Sequence, residues 1–258
     1  MKLLMVVNKQ KKSSSRYRTD KIISILNAQI DNSLNLGWDI KNIILLSNFD
    51  YSFKDVKAQK IDFSDNCLTG SKMYGIQYVL RNGLCGDEIV WSKDVDAWQN
   101  IWFDPPEMKD VGICTYSSSK FNGGSVFWKK SAEDIIDAIL EELNKGKAKE
   151  EPTINELLKS VKFKNRVTVL NSSYNIGCSG YYPRALRAIK PIKVCHVNPF
   201  NRIGWQTHRL NRDGMDMISV SARLESILRK YFKLAKELDQ EGLKRSEELR
   251  KKHLSKVY

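Results

Sequence analysis

The chain has little cysteine, little histidine and no long apolar run. Its five cysteines are Cys67, Cys85, Cys114, Cys178 and Cys195, an odd number with no Cys-X-X-Cys spacing. That argues against a disulfide frame and a thiolate zinc site, and fits reduced thiols in a cytoplasm. No apolar stretch approaches the roughly 20 residues that a transmembrane helix needs. At the N-terminus the apolar run is only Leu3 to Val7, and Asn8, Lys9 and Gln10 follow with no small-residue cleavage site. It reads as a first buried strand, not a signal peptide. Internal repeats are lacking too. Acids are absent from Leu157 to Arg212, where eleven Lys or Arg occur.

What is present fits a packed globule: 258 residues, 41% hydrophobic, with six tryptophans. This length holds one domain or one domain with an appendage. The net charge of +13, with its acid-free stretch, would attract a polyanion such as a diphosphate, nucleic acid or an anionic membrane.

Strand-like and helix-like segments alternate over the first two thirds. Lys2–Val7, Asn42–Ser47, Lys60–Phe63, Glu88–Trp91, Gly124–Trp128, Val167–Leu170 and Ile192–His196 read as strands. Thr19–Leu36, Ser71–Arg81, Ala132–Leu143 and Thr153–Ser160 read as helices, with Gly37 and Gly83 as stops and Ser131 as an N-cap. Lys9–Tyr17 reads as a loop. The order predicts an α/β domain with a mostly parallel sheet, which binds ligands at the carboxyl ends of its strands. Beyond Arg212, Met217, Val220, Leu224, Ile227, Tyr231, Leu234 and Leu238 form a narrow apolar seam on a helix. Gly242 interrupts it, and a basic tail follows. The expected division is 1–212 and a helical extension, 213–258. The seam either packs on the parent domain or forms a homodimer.

The chemistry centres on WSKDVDAW, Trp91 to Trp98. Asp94 and Asp96 follow a strand, one residue apart. In an extended segment both would point the same way and meet one hard cation. Such an ion would stabilise a departing diphosphate as a Lewis acid. A solvated loop is the bland alternative. Trp98, Trp102 and Phe103 read as core, or as a stacking platform for a sugar or base. Gly123 and Gly124 read as a turn, or as a place where backbone approaches a ligand. Glu150 and Glu151 suit a helix start.

Further features run in order along the chain: Met5 to Asn8 on the first strand, Lys72 on a helix, then Asp94 to Asp96. FNGG (Phe121–Gly124), EEPTIN (Glu150–Asn155), NSSYN (Asn171–Asn175) and KVCH (Lys193–His196) follow, with Gly204 and Trp205 last. This order, from Met1 to Trp205, resembles the GT-A nucleotide-diphospho-sugar glycosyltransferases, particularly the glycogenin and galactosyltransferase group and small viral enzymes. The resemblance implies a Rossmann-like GT-A fold. It implies a divalent ion, Mn²⁺ or Mg²⁺, held by Asp94, Asp96 and His196. It places the donor against Val7, Asn8, Lys72, Asp94, Asn122, Gly123, Gly124, Arg202, Gly204 and Trp205. Arg202 stands where the family has a lysine at shorter spacing. If the enzyme inverts, Glu151 is the candidate base, with Asp104 as the alternative. His208 and His253 have no such support.

The expected partner is a nucleotide-diphosphate sugar. The basic stretch suggests DNA as acceptor, carrying hydroxymethylated bases as in some viral genomes. A cell-surface saccharide or a lipid competes. A non-catalytic nucleic-acid-binding protein is the alternative of another class, and the acid pair speaks against it, since carboxylates repel phosphate unless a cation intervenes.

Overall fold

The computed structural model describes residues 1–8, 19–63, 70–115, 120–146, 149–177, 188–196, 211–212, 215–216 and 220–232. In chain order it runs β1 (Lys2–Val7), α1 (Thr19–Asn35), β2 (Ile43–Ser47), β3 (Ser52–Phe53), β4 (Val56–Lys57), β5 (Gln59–Lys60) and α2 (Ser71–Arg81). Then come β6 (Val90–Lys93), β7 (Ala97–Gln99), β8 (Val111–Thr115), β9 (Phe121–Trp128), α3 (Glu133–Asn144) and α4 (Glu150–Lys159). The last are β10 (Val167–Leu170), β11 (Ile176–Gly177), β12 (Val194–His196), the antiparallel pair β13 (Asn211–Arg212) and β14 (Met215–Asp216), and a helix, α5 (Ala222–Phe232).

Seven strands form the main sheet in the order β10-β8-β9-β6-β1-β2-β5. All neighbours pair parallel except β9, which runs antiparallel to both β6 and β8. Side chains alternate between the faces. Leu3, Met5 and Trp91 face the layer of α1, with Leu26 and Ile30. Leu4, Val90 and Trp128 face α2 and α3, with Met73, Ile76, Ile136 and Ile139. Gly75 lets α2 sit on β1: a β-carbon there would stand 2.4 Å from Val6 Cγ2.

A smaller sheet, β11-β12-β7, follows from the first through the turn between β6 and β7. It shares a third core with α1 and α5, in which Trp98, Cys195, Ala28, Leu224, Ile227 and Leu228 meet. Arg223 Nη1 of α5 donates to Asn32 Oδ1 at 2.6 Å, and Lys230 and Tyr231 both reach Asp31 Oδ2 at 2.8 Å. Over this described stretch the apolar seam packs on its own domain. Met217, Leu234, Leu238, Gly242 and the basic tail lie outside the described residues, as do the Lys9–Tyr17 loop and Cys67 and Cys178. Cys85, Cys114 and Cys195 are buried and form no disulfide with one another.

Several local expectations change. FNGG belongs to β9 rather than to a turn; a register slip between Ile113 and Cys114 takes up Gly123, Gly124 and Ser125. Ser131 does not cap α3, because a 3₁₀ turn at Lys130–Ala132 precedes it and the Ser131 hydroxyl donates to Asp110 Oδ1 at 2.6 Å. The strand expected at Lys60–Phe63 is the two-residue β5. β8 was not anticipated, since Gly112, Cys114 and Thr115 dilute its apolar pattern. Among the described residues, no helix is long and apolar enough to cross a membrane.

Candidate metal centre

β1 and β6 run parallel with Leu4 opposite Ser92. Val7–Asn8 and Asp94–Asp96 therefore leave the sheet at the same carboxyl edge. Beyond Lys93 the chain does not stay extended, as the alternation argument supposed. It makes a tight turn, closed by Ala97 N–H donating to the Asp94 carbonyl at 3.0 Å, while Asp94 N–H donates to the Gly124 carbonyl at 2.9 Å. The carboxylates converge because they occupy the first and third positions of that turn.

The turn feeds β7, and β7 pairs antiparallel with β12, setting His196 opposite Ala97. This pairing delivers an imidazole from a hundred residues away in sequence. His196 Nε2 lies 3.0 Å from Asp96 Oδ1 and 3.8 Å from Asp94 Oδ2. One ligand atom from each of the three residues falls within 4.8 Å of the others. All three side chains are part-buried. Burial pushes the Asp96 carboxyl up, but the His196 hydrogen bond and charge outweigh it and hold it low. Burial pushes His196 down, and Asp96 and then Asp94 more than offset that, so the imidazole is raised above its ordinary range.

Glycine at 124 is required by proximity. A β-carbon there would lie 2.4 Å from His196 Cε1 and 2.9 Å from Asn122 Oδ1. Asn122 Oδ1 accepts from Gly124 N–H at 2.8 Å and from Asn175 Nδ2 at 2.7 Å, which ties the NSSYN element to β9.

Lys72 reaches the edge from the α2 side. Its ammonium donates to the Gly123 carbonyl at 2.8 Å and contacts Asp94 Oδ1 at 2.7 Å and Glu150 Oε1 at 2.8 Å. Burial works against its charge, but the carboxylates of Asp94 and Glu150 prevail and raise it. Burial, then Asp94, raises the Glu150 carboxyl, against the pull of Lys72. Glu150 is thus the acid of EEPTIN that joins the cluster. Glu151 lies near enough to add to the rise of Glu150.

On the α1 side, Lys93 is buried, and burial pushes its ammonium down to about 7 against the opposite pull of Asp96. Trp98 is fully buried and stacks edge-on against Phe232 at 5.9 Å, so it is core and no stacking platform. Phe103 is also buried, against Trp91, Phe127 and Tyr174. Trp102 is 49% exposed and leans on Trp38. Asp104 is exposed, and its charge is felt by Tyr174. Arg202, Gly204, Trp205, His208 and His253 lie outside the described residues.

Strand order, the reversed β9 and the acid pair at the end of β6 define the GT-A class of fold. The chain superposes on the galactosyltransferase LgtC, solved with donor and acceptor sugar analogues, with a TM-score of 0.54 and 14% identity over 93% of this chain and 98% of that one. It matches the bifunctional glycosyltransferase WbbM with a TM-score of 0.50 and 14% identity, over 89% of this chain and 51% of that one. No protein-family model and no curated protein sequence matches it. The chain has the GT-A fold.

Proposed function

We propose that the chain is a glycosyltransferase that moves a sugar from a nucleotide-diphosphate sugar to an acceptor hydroxyl, with Mn²⁺ or Mg²⁺ held by Asp94, Asp96 and His196. The observation that carries this reading is the convergence of those three side chains at the carboxyl edge of a GT-A sheet. Two carboxylates and an imidazole suit a divalent ion with positions left for phosphate oxygens. When bound, the ion supplies Lewis-acid stabilisation of the charge growing on the diphosphate.

The chain's own residues divide the remaining work. Val7 and Asn8 border the nucleotide. Lys72 holds Asp94 and Glu150 in place through its three contacts. Gly123 lets the donor sugar approach β9, Gly124 makes room for His196 beside it, and Asn122, fixed by Asn175, faces the sugar hydroxyls. Lys72 and Arg202 help to hold the diphosphate, and Gly204 and Trp205 belong to the donor site by the order of motifs. Glu150 or Glu151 manages proton or charge at the reacting carbon, with Asp104 as the alternative. Release of free sugar or nucleoside diphosphate from a panel of nucleotide-sugars, with Mn²⁺, Mg²⁺ or EDTA, tests the reading. Failure of every donor with either ion would remove it and leave the nucleic-acid-binding alternative.

A polyanionic acceptor, hydroxymethylated DNA included, is a second reading that rests on the acid-free stretch. Lys159, Lys162 and Lys164 are exposed, but Lys159 ends α4, about 14 Å from Glu150 by helix rise, and the other two lie beyond it. Arg166 is engaged by Asp110 and Asp134. Lys193 lies over the Tyr174 ring at 4.5 Å, and Arg184, Arg187, Arg202 and Arg209 of the stretch lie outside the described residues. Offering modified DNA, unmodified DNA, oligosaccharides and lipid acceptors in parallel decides this; transfer only to a saccharide or lipid would end the DNA reading.

A further inference from the structure

Lys93 raises a question that the proposed chemistry leaves open. It ends β6, is 2% exposed, and points into the layer between sheet and α1, a place that apolar side chains usually fill. Burying an ammonium costs several kcal/mol unless it is paired or well hydrogen-bonded. Among the described residues no carboxylate bonds it. Its acceptors are the Ala97 carbonyl at 3.0 Å and Gln29 Oε1, with the Trp91 ring 5.6 Å away.

The acceptors share one object. Gln29 Nε2 donates to the Val95 carbonyl at 2.7 Å and to the Ala97 carbonyl at 3.0 Å. One turn of α1 further on, Asn32 Nδ2 donates to the Gln99 carbonyl at 3.0 Å. The backbone between Asp94 and Gln99 is thus gripped from beneath by α1 and Lys93. Lys72 holds Asp94 from the opposite face of the sheet. The two like charges of this tight turn repel each other, and these bonds add to the turn's own Ala97–Asp94 bond in opposing their separation.

We infer that Lys93 and Gln29 act together as positioning residues for the metal centre, locking the carbonyls of Val95 and Ala97 so that Asp94 and Asp96 stay convergent for a divalent ion. The inference rests on the proposed metal site. It predicts a defect in ion binding in a chain that is folded.

The experiment uses the full-length chain, Lys93→Met, Gln29→Met and the double variant, with Mn²⁺ binding followed by electron paramagnetic resonance and folding by near-ultraviolet circular dichroism. Each single variant should bind Mn²⁺ about tenfold to a hundredfold more weakly, the range seen when the supports of metal ligands are removed. The double variant should be little worse than the worse single, since the two act on one turn. Donor cleavage by either variant should recover as Mn²⁺ is raised. A merely structural role would lower thermal stability and leave the Mn²⁺ affinity of the folded variants unchanged, and that result would overturn the inference. If Lys93→Met does not fold, Gln29→Met, which keeps the lysine, decides. A wild-type chain that binds neither Mn²⁺ nor Mg²⁺ would remove the metal site and this inference with it; wild-type binding alongside unaffected variants would remove the inference alone.

Discussion

Gly124 and the imidazole of His196 are so close that a methyl group on the glycine would stand 2.4 Å from Cε1 and 2.5 Å from Nδ1. Neither atom can yield without moving Nε2 off Asp96. Gly124→Ala should therefore cost about tenfold to a hundredfold in Mn²⁺ affinity, as for other disturbed ligand supports. Gly123→Ala is the control. Its added carbon would meet Ile154 Cδ1 at 3.6 Å, an ordinary contact, so ion binding should be kept. Equal Mn²⁺ titrations for wild type and Gly124→Ala would show that His196 is not a ligand.

Asp96 both faces the proposed ion and orients His196. Asp96→Ala should abolish metal-dependent cleavage of a nucleotide-sugar while the circular dichroism spectrum is kept, because the side chain is part-buried and packs no core. Wild type in EDTA should match it. Full turnover in the variant would take the ion out of the mechanism.

The sequence made the ends of this site legible, and the reason lies in chain continuity. Lys2–Val7, Ser71–Arg81 and Val167–Leu170 are observed with the bounds their apolar runs and stops imply. Asp94 and Asp96 stood out because they follow such a run directly. His196 was reachable only through the order of motifs, since the β7–β12 pairing that seats it is a tertiary fact. Nothing local distinguished Glu150 from Glu151; that depends on where α4 begins and which way its first turn faces. Gln29 is one polar residue among several on α1. Lys93 did carry a signal, a lysine closing a buried strand, but its meaning needs the carbonyls of a turn that the alternation rule treated as extended.

Asp31 joins α1, α5 and the β3–β4 segment. Burial pushes its carboxyl up, yet hydrogen bonds from Lys230, Lys54 and Tyr231 outweigh that and hold it at about 2, from an ordinary 3.8. A carboxyl depressed in the folded state adds stability above its unfolded value, lost as pH falls through the folded one. The lysines are 44% and 60% exposed, so solvent screening reduces the contribution to roughly 1 to 2 kcal/mol. Asp31→Asn should lose that much in urea unfolding at neutral pH. The gap to wild type should narrow between about pH 4 and pH 2 as the wild-type carboxyl protonates. A gap that is constant with pH would mean that the asparagine disturbs packing rather than charge.

Glu150 and Glu151 can be separated by kinetics. Glu150 shares Lys72 with Asp94, at 2.8 and 2.7 Å, and its carboxyl is raised by burial and by the Asp94 charge. A group so placed, beside Gly123 and the proposed ion, is suited to proton or charge management at the donor sugar. Glu150→Gln keeps the shape and leaves Lys72 its bonds to Asp94 and the Gly123 carbonyl. It should slow transfer by about 10²- to 10⁴-fold, the usual loss for a positioned acid or base, with Mn²⁺ affinity nearly unchanged because Glu150 is not among the ligands. Glu151→Gln and Asp104→Asn should be milder. If Glu151→Gln or Asp104→Asn instead carries the large loss in turnover, the catalytic role belongs to that residue, and the Lys72–Glu150 pair serves only to hold Asp94. If Glu150→Gln loses Mn²⁺ affinity in parallel with turnover, its role is in shaping the ion site and not in the chemical step.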